Sequence, residues 1–299
     1  MDLFTRGSSA PEPGFFPAPA GTERQNVSIG CQWNGRSFAI SLDSAELEAE
    51  VVPRVSAIRE LHAKPDFTFS LSTVEDLIYL HCGAEFMSAE TSVSAARAIL
   101  LQEIVRRVTA VDNAPRQWLG LLHAGACGNR RRCVVFPAAS HSGKTTLAAV
   151  LMQRGLTFYA DDSVALEKET LEIPAMPFGL PIRQGSWPLL ADLYPGFCHL
   201  PLYERFGQPV RYLYPPVHQT SVPAAAIVFP RYVQGAELSI HPLNTLEALI
   251  RMKEGGFWVE NEHASIRAFL DWIESLPCYQ MTYSDVHAAS RFIANLLPE

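Results

Sequence analysis

The chain has 299 residues, of which 48% are hydrophobic, so it can bury a sizeable core in one large domain or two small ones. Its formal net charge of −7 excludes a general electrostatic attraction to nucleic acid. No run of 18 apolar residues is present and the first residues lack the apolar segment of a signal peptide, so we expect no membrane partner and a cytoplasmic location. The six cysteines form no C-x-x-C pair, which favours a reduced protein.

The first part of the chain divides into a tail and a small lobe. Residues 1–25 are rich in Pro, Gly, Ser and Ala, which is typical of a flexible tail. Residues 26–115 carry strand and helix patterns that predict a small N-terminal α+β lobe. In this lobe Asn34-Gly35 separates two apolar runs and predicts a β-hairpin, and a helical spacing of apolar residues predicts a helix over 91–112. Two further strands are predicted, at 67–71 and 77–82.

Residues 116–299 are predicted to form one α/β domain. Apolar runs predict its strands at 119–126, 133–136, 156–160, 163–166, 171–173, 224–229, 238–241 and 278–283. Helical patterns lie at 146–154, 244–254, 262–275 and from 285 onward. The segment 174–220 is rich in Pro, Gly, Tyr and Trp, and we expect it to be a long, partly ordered insertion.

The stretch from Ala138 to Thr145 has the pattern G-x-x-x-x-G-K-[ST], with Ala138 in place of the first glycine. A predicted strand precedes it and a predicted helix follows, which is the context that a phosphate-binding loop needs. In such a loop Lys144 reaches the terminal phosphates and the Thr145 hydroxyl binds Mg²⁺. The predicted nucleotide-binding residues are Ala139, Ser140, His141, Ser142, Gly143, Lys144, Thr145 and Thr146.

Asp161 and Asp162 follow the predicted strand at 156–160. One carboxylate of such a pair can ligate Mg²⁺ beside Thr145 while the other accepts the proton of an attacking hydroxyl. Adjacent side chains on a strand point to opposite faces. A pair that acts together therefore requires a bend in the chain, and we predict one at this point.

Three elements occur in a fixed order: His123 in Leu-Leu-His-Ala-Gly, Lys144 in the Gly-Lys-Thr loop, and Asp161-Asp162 in Tyr-Ala-Asp-Asp-Ser-Val. In this order and spacing the chain resembles the HPr kinase/phosphorylase family and its relatives, the HPr-kinase-like serine kinases. The resemblance covers residues 119–185 well and the remainder in outline.

The resemblance implies an α/β fold with a phosphoenolpyruvate-carboxykinase-like P-loop kinase core over residues 116–299. It implies ATP and Mg²⁺ as cofactors and a protein serine as the phosphate acceptor. Asp161 would then be the general base, Asp162 and Thr145 would hold the metal, and Lys144 would bind the β- and γ-phosphates. His123 would lie near the phosphates, or else be a core histidine on its strand.

Several positions depart from the family pattern. Thr146 stands where the family carries an acidic residue, and residues 174–187 replace the signature of true HPr kinase/phosphorylases. We therefore expect the acceptor to be a serine of another peptide or protein, such as a ribosomally made precursor peptide. Arg183 is either a phosphate or substrate contact or a surface residue. The aromatic residues expected either to bind a peptide or to form a core patch are Trp187, Tyr194, Tyr203, Tyr212 and Tyr214.

Two other functions stay open at this point. One is a nucleotide-binding regulator that performs no transfer, and the other is a kinase that acts on a small molecule. An open groove near Asp161 would favour a peptide acceptor, whereas a closed pocket would favour a small one. Oligomers are frequent in the family, so a homo-oligomer is a candidate assembly.

Overall fold

The structure is a computed structural model that describes residues 27–60, 64–110, 116–139, 142–205 and 207–297. The predicted tail at 1–25 and the loop residues Ser140 and His141 lie outside this part of the chain. The described residues form a mixed α/β protein, as predicted. None of their helices has the length and apolar character needed to cross a membrane. The described residues divide into two compact units, one within 27–52 and 59–103 and the other within 53–58 and 104–297.

The elements are numbered in chain order. The strands are β1 Val27–Trp33, β2 Arg36–Leu42, β3 Phe67–Val74, β4 Leu77–Cys82, β5 Glu85–Glu90, β6 Trp118–Leu122, β7 Ala124–Gly128, β8 Cys133–Pro137, β9 Thr157–Ala160, β10 Val164–Glu167, β11 Glu172–Pro174, β12 Leu180–Arg183, β13 Tyr203–Arg205, β14 Gln208–Leu213, β15 Ser221–Tyr232, β16 Ser239–Leu243, β17 Phe257–Val259 and β18 Cys278–Tyr283. The α-helices are α1 Ala45–Val55, α2 Val93–Val108, α3 Lys144–Gln153, α4 Trp187–Leu193, α5 Thr245–Gly255, α6 His263–Glu274 and α7 Val286–Asn295. Short 3₁₀ turns lie at Ser56–Ile58, Gln184–Ser186 and Phe197–His199.

The first unit contains a five-stranded sheet in the order β1-β2-β3-β4-β5. The predicted hairpin between β1 and β2 is confirmed, and both turn residues have the positive φ that this turn type needs, 52° at Asn34 and 71° at Gly35. The helix predicted over 91–112 is shorter, since α2 runs from Val93 to Val108. Residues 111 and 112 of the predicted range lie outside the described part of the chain. The pattern of apolar residues in the sequence did not predict α1 or β5.

The second unit is built on a seven-stranded sheet in the order β16-β18-β15-β8-β7-β9, with β11 paired to β15. Strands β8, β15 and β18 are parallel neighbours, whereas the other pairings in this sheet are antiparallel. The carboxyl ends of parallel strands share one edge, which is where α/β proteins place their ligands. The predicted phosphate loop leaves β8 at this edge, and β15 and β18 end beside it at Tyr232 and Tyr283.

The strand predicted at 119–126 is wrong as a single element. It is two strands in two sheets: β6 belongs to the three-stranded sheet β10-β6-β17, and β7 belongs to the seven-stranded sheet. His123 is the joint between them, and its backbone N–H donates to Gly256 O at 2.9 Å. The neighbouring chain changes sheets in the same way, because β9 pairs with β7 and β10 pairs with β6. An unbroken apolar run does not reveal where the pairing partner changes.

The segment 174–220, expected to be a partly ordered insertion, contains more regular structure than its composition suggested. Strands β12, β14 and β13 form their own antiparallel sheet, and α4 lies between β12 and β13. Leu180, Ile182 and Leu190 are buried in one core with the apolar side chains of α3. The aromatic residues of this segment serve the packing: Trp187 Nε1 donates to Ile182 O at 3.1 Å and Tyr194 Oη to Ala149 O at 2.5 Å. Burial of this apolar surface orders a segment whose Pro and Gly content suggested a loop.

The turn that leads into β8 gives a test of this fold. A Cβ at Gly128 would lie 2.1 Å from Arg132 O, a backbone atom that cannot move without disturbing the hairpin. We expect Gly128→Ala to lower the free energy of unfolding by about 1–3 kcal/mol, the usual cost of overpacking. Urea denaturation followed by tryptophan fluorescence measures it. The control is Gly185→Ala, because a Cβ at Gly185 meets no atom within 4 Å. Equal stability of the two variants would contradict the hairpin geometry.

Candidate functional site

A cavity of about 910 Å³ opens at the carboxyl edge of β8, β15 and β18. The residues predicted from the sequence that line it are His123, Ser142, Gly143, Lys144, Thr145, Thr146, Asp161, Asp162 and Arg183. Ala139 is not among the lining residues, but its carbonyl accepts a hydrogen bond from Lys144 Nζ at 3.1 Å. The structure therefore brings together residues that the chain carries far apart.

Gly143 has a backbone conformation that a side chain would oppose. It caps the N-terminus of α3 with φ 91° and ψ 6°, in the left-handed region. A Cβ there would also lie 2.6 Å from Tyr283 Oη. Ala138 stands at the first glycine position of the motif, and its φ is not positive. Its φ therefore lies in the range open to any residue, and alanine fits without that strain.

Lys144 is the first residue of α3 and is 6% exposed. Its ammonium donates to the carbonyls of Ala138 and Ala139. Burial lowers the pKa of Lys144, and the carboxylates of Asp161 and Asp162 partly restore it. A cation at a helix N-terminus opposes the helix dipole, so an anion bound here would be stabilised by both. Ser142 Oγ adds a buried hydroxyl that has no hydrogen-bond partner among the described residues.

The bend predicted at the aspartate pair is present. Strand β9 ends at Ala160, and Asp162 has φ 74°, so both carboxylates face the same cavity. Asp161 is 7% exposed, and Thr145 Oγ1 donates to its Oδ2 at 3.0 Å. Burial raises the pKa of Asp161 and the charge of Asp162 raises it further, while Arg54, Lys144 and the Thr145 hydrogen bond oppose the shift.

Both carboxylate oxygens of Asp162 have a neighbour. Arg205 Nη2 donates to Oδ2 at 3.1 Å, and His123 Nε2 lies 3.3 Å from Oδ1. His123 Nδ1 lies 2.8 Å from Gly255 O, and a carbonyl only accepts, so Nδ1 carries a proton and the ring orientation is fixed. His123 thus lines the cavity with its Nε2 beside Asp162, although it is also buried.

Two positions singled out in the sequence have defined contacts. Thr146 Oγ1 lies 2.5 Å from Ser186 Oγ, so Thr146 joins α3 to the turn Gln184–Ser186. Arg183 ends β12 and lines the cavity.

The lining residues that sequence reasoning missed include Tyr232, Tyr283, Asp285, His287 and Arg205. Asp285 had a readable signal, because an aspartate before a helical pattern is a typical N-cap, and its carboxylate accepts from His287 N at 2.8 Å. Arg205 had none, since its contact with Asp162 depends on a strand pairing within the segment expected to be irregular.

The donor set at the bend suits Mg²⁺. Magnesium is usually held by one or two carboxylates together with substrate phosphates and water. The Thr145 hydroxyl and the two aspartates supply hard oxygen ligands beside the loop. Across the described part of the chain, no cluster of three or more His, Cys, Asp or Glu side chains has a metal-binding arrangement. At such a place phosphate oxygens and water would complete the coordination of Mg²⁺.

Comparison with known proteins found no protein-family model that matches the chain and no curated protein that matches it.

The raised pKa of Asp161 predicts a pH-dependent cost to stability. Because folding favours the protonated form of Asp161, this carboxyl contributes most to the free energy of unfolding below its ordinary pKa. That contribution is lost as the pH rises through the pKa of Asp161 in the folded protein. We expect Asp161→Asn to raise Tm at pH 7.5, because the variant no longer buries this charge. Each kcal/mol gained in the free energy of unfolding should raise Tm by about 2–4 °C, and the increase should be smaller near about pH 4. Calorimetry with a chelator and without nucleotide measures this.

The exposed Asp192 on α4 provides the control variant Asp192→Asn. An Asp161→Asn protein whose Tm is lower than that of the wild type at pH 7.5 would contradict the prediction.

Proposed function

We propose that this chain is an ATP- and Mg²⁺-dependent kinase of the HPr-kinase-like class, with a phosphoenolpyruvate-carboxykinase-like P-loop core. It transfers the γ-phosphoryl group to the serine hydroxyl of a peptide or protein. The observation that carries the proposal is the 3.0 Å hydrogen bond between Thr145 Oγ1 and Asp161 Oδ2. It joins the two motifs that phosphoryl transfer needs, the phosphate loop and the acidic pair, in one cavity.

The triphosphate binds at the N-terminus of α3. Backbone N–H groups of the loop, the Lys144 ammonium and the Ser142 hydroxyl donate to its oxygens, and the helix dipole favours the negative charge. Lys144 then exchanges its two backbone carbonyls for phosphate oxygens. Phosphoryl transfer depends mainly on positioning and charge neutralisation, and this arrangement supplies both.

Thr145 and Asp161 are the residues placed to hold Mg²⁺. The resemblance pairs Thr145 with Asp162, but the Thr145 hydroxyl contacts Asp161, which favours Asp161 for the metal. When bound, Mg²⁺ neutralises the charge that develops on the transferred group. The burial of Asp161 keeps bulk water away from this carboxylate.

Asp162 is then the residue to accept the proton of the acceptor hydroxyl. Its side chain is 29% exposed, so an acceptor can reach it more easily than it can reach Asp161. The carboxylate has a defined position, because Arg205 Nη2 donates to its Oδ2 and the Gly255 carbonyl fixes the His123 ring beside its Oδ1. A general base must lie within hydrogen-bond reach of the proton that it takes, so this orientation matters for the reaction.

A small-molecule acceptor is the second candidate, and the depth of the site favours it. Asp161 is buried, and the cavity volume of about 910 Å³ lies at the upper end of the range for small-ligand pockets, about 300–1,000 Å³. Incubation with γ-labelled ATP and either a serine peptide library or free hydroxy compounds separates the two. Label in the peptide fraction supports the proposal, and label only in the small molecules selects the alternative. Nucleotide binding without any transfer would identify a regulator.

Lys144 gives the first test of nucleotide binding. We expect Lys144→Ala to weaken Mg·ATP binding at least about tenfold, because a charge-assisted contact to phosphate is lost. Isothermal titration calorimetry measures the Kd. Lys253→Ala, on the exposed face of α5, is the matched control and should keep the wild-type Kd. Unchanged affinity in Lys144→Ala would show that the loop does not bind the triphosphate.

Variants of the two aspartates distinguish the residue that binds the metal from the residue that acts as general base. We expect Asp162→Asn to lower transfer to the peptide library by about 10²–10⁴-fold, the usual loss when a general base is removed, while nucleotide binding persists. Asp161→Asn should instead weaken the Mg²⁺ dependence of nucleotide binding. If Asp162→Asn keeps full transfer and Asp161→Asn loses it with intact binding, the base is Asp161, as the resemblance implies.

A further inference from the structure

Arg205 and Asp162 form an ion pair inside the candidate site. Arg205 is the last residue of β13, and its Nη2 lies 3.1 Å from Asp162 Oδ2. The side chains are 10% and 29% exposed, so water screens this pair less than it screens a surface pair. Both residues line the cavity that holds Lys144 and Thr145.

This ion pair obstructs the reaction proposed above. His123 lies beside Asp162 Oδ1 and Arg205 contacts Oδ2, so both carboxylate oxygens already have a neighbour and the guanidinium takes the oxygen that does not face the anchored ring. The reaction therefore requires that Arg205 move away from Oδ2. His123 need not move, because its ring is anchored to the Gly255 carbonyl.

A triphosphate provides a competing partner for Arg205. The terminal phosphate of a nucleotide on Lys144 and Thr145 would enter the same cavity with two or more oxygens available to a guanidinium. The planar guanidinium fits phosphate in a bidentate manner, and such charge-assisted contacts are among the strongest hydrogen bonds in proteins. The exchange keeps the Arg205 charge compensated, since one anion replaces another.

The anchoring of β13 allows the side chain to move without a change of fold. Arg205 pairs with Gln208 at the end of a short antiparallel hairpin, and Tyr203, two residues earlier, packs edge-on against buried Tyr212 with ring centroids 5.4 Å apart. The hairpin is thus held at Tyr203, whereas the Arg205 side chain extends into the cavity. Rotamer changes of an arginine are sufficient for a shift of a few ångströms.

We propose that Arg205 is a partner-exchanging residue, which covers Asp162 in the free protein and moves to the terminal phosphate when the triphosphate binds. The proposal rests on the proposed function and extends it: Asp162 becomes accessible only when the phosphoryl donor is in place. A nucleoside diphosphate lacks the terminal phosphate and leaves the Arg205–Asp162 pair closed.

The test compares the affinities for Mg·AMP-PNP and Mg·ADP by isothermal titration calorimetry. We expect Arg205→Ala to weaken Mg·AMP-PNP binding about tenfold and Mg·ADP binding by less than about twofold. Arg205→Lys should recover part of the difference, because it keeps the charge and loses the bidentate geometry. Asp162→Asn should strengthen Mg·AMP-PNP binding relative to Mg·ADP binding, because Arg205 then has no ion pair with a carboxylate to break before it contacts the terminal phosphate.

Two controls make the outcome specific. Arg154→Ala removes the same charge from an exposed position at the other end of α3, and Glu204→Ala changes an exposed neighbour on β13; both should keep the wild-type preference. Equal losses of both nucleotides in Arg205→Ala, or no loss of either, would overturn this inference and leave the kinase proposal standing. A wild-type protein that binds neither nucleotide would overturn the proposed function and the inference together.

Discussion

The arrangement of the site depends on the hydrogen bond between the Thr145 hydroxyl and the buried Asp161 carboxylate. This bond joins the start of α3 to the end of β9, the strand that follows α3 in the sequence. Because Thr145 follows Lys144 directly, the same contact sets the distance between the Lys144 ammonium and the acidic pair. The positions of the start of α3 and of the two carboxylates in the cavity follow from it.

The second constraint is the balance of charge in the cavity. Lys144, Arg183 and Arg205 line it together with Asp161, Asp162 and Asp285, and burial opposes the charged form of both Lys144 and Asp161. The two buried charges are of opposite sign and partly offset the cost of each other's burial, while Asp162 pairs with Arg205. Such a network is costly to fold, and a ligand that brings its own anion and cation can replace the internal partners. Phosphate with Mg²⁺ is a ligand of that kind.

Local chemistry made part of this structure predictable. Asn34-Gly35 defined a turn, the Gly-Lys-Thr sequence defined a loop between strand and helix, and the adjacent aspartates required a bend. Properties that depend on distant partners were not predictable. The change of sheet at His123 and the ordering of 174–220 are set by pairing and burial with other strands, so the sequence pattern carried no signal for them. Arg205 was missed for the same reason.

The two chain crossings between the sheets constrain how this protein can vary. His123 alone joins β6 to β7, and 161–163 join β9 to β10, with His123 and Asp162 side by side. Strand side chains alternate between faces, so adding or removing one residue at either joint would turn every side chain of one strand to the wrong face. The lengths of the two joints are therefore fixed more strictly than those of most surface loops, and this chain should tolerate insertions better in the turns at the opposite edge of the sheets.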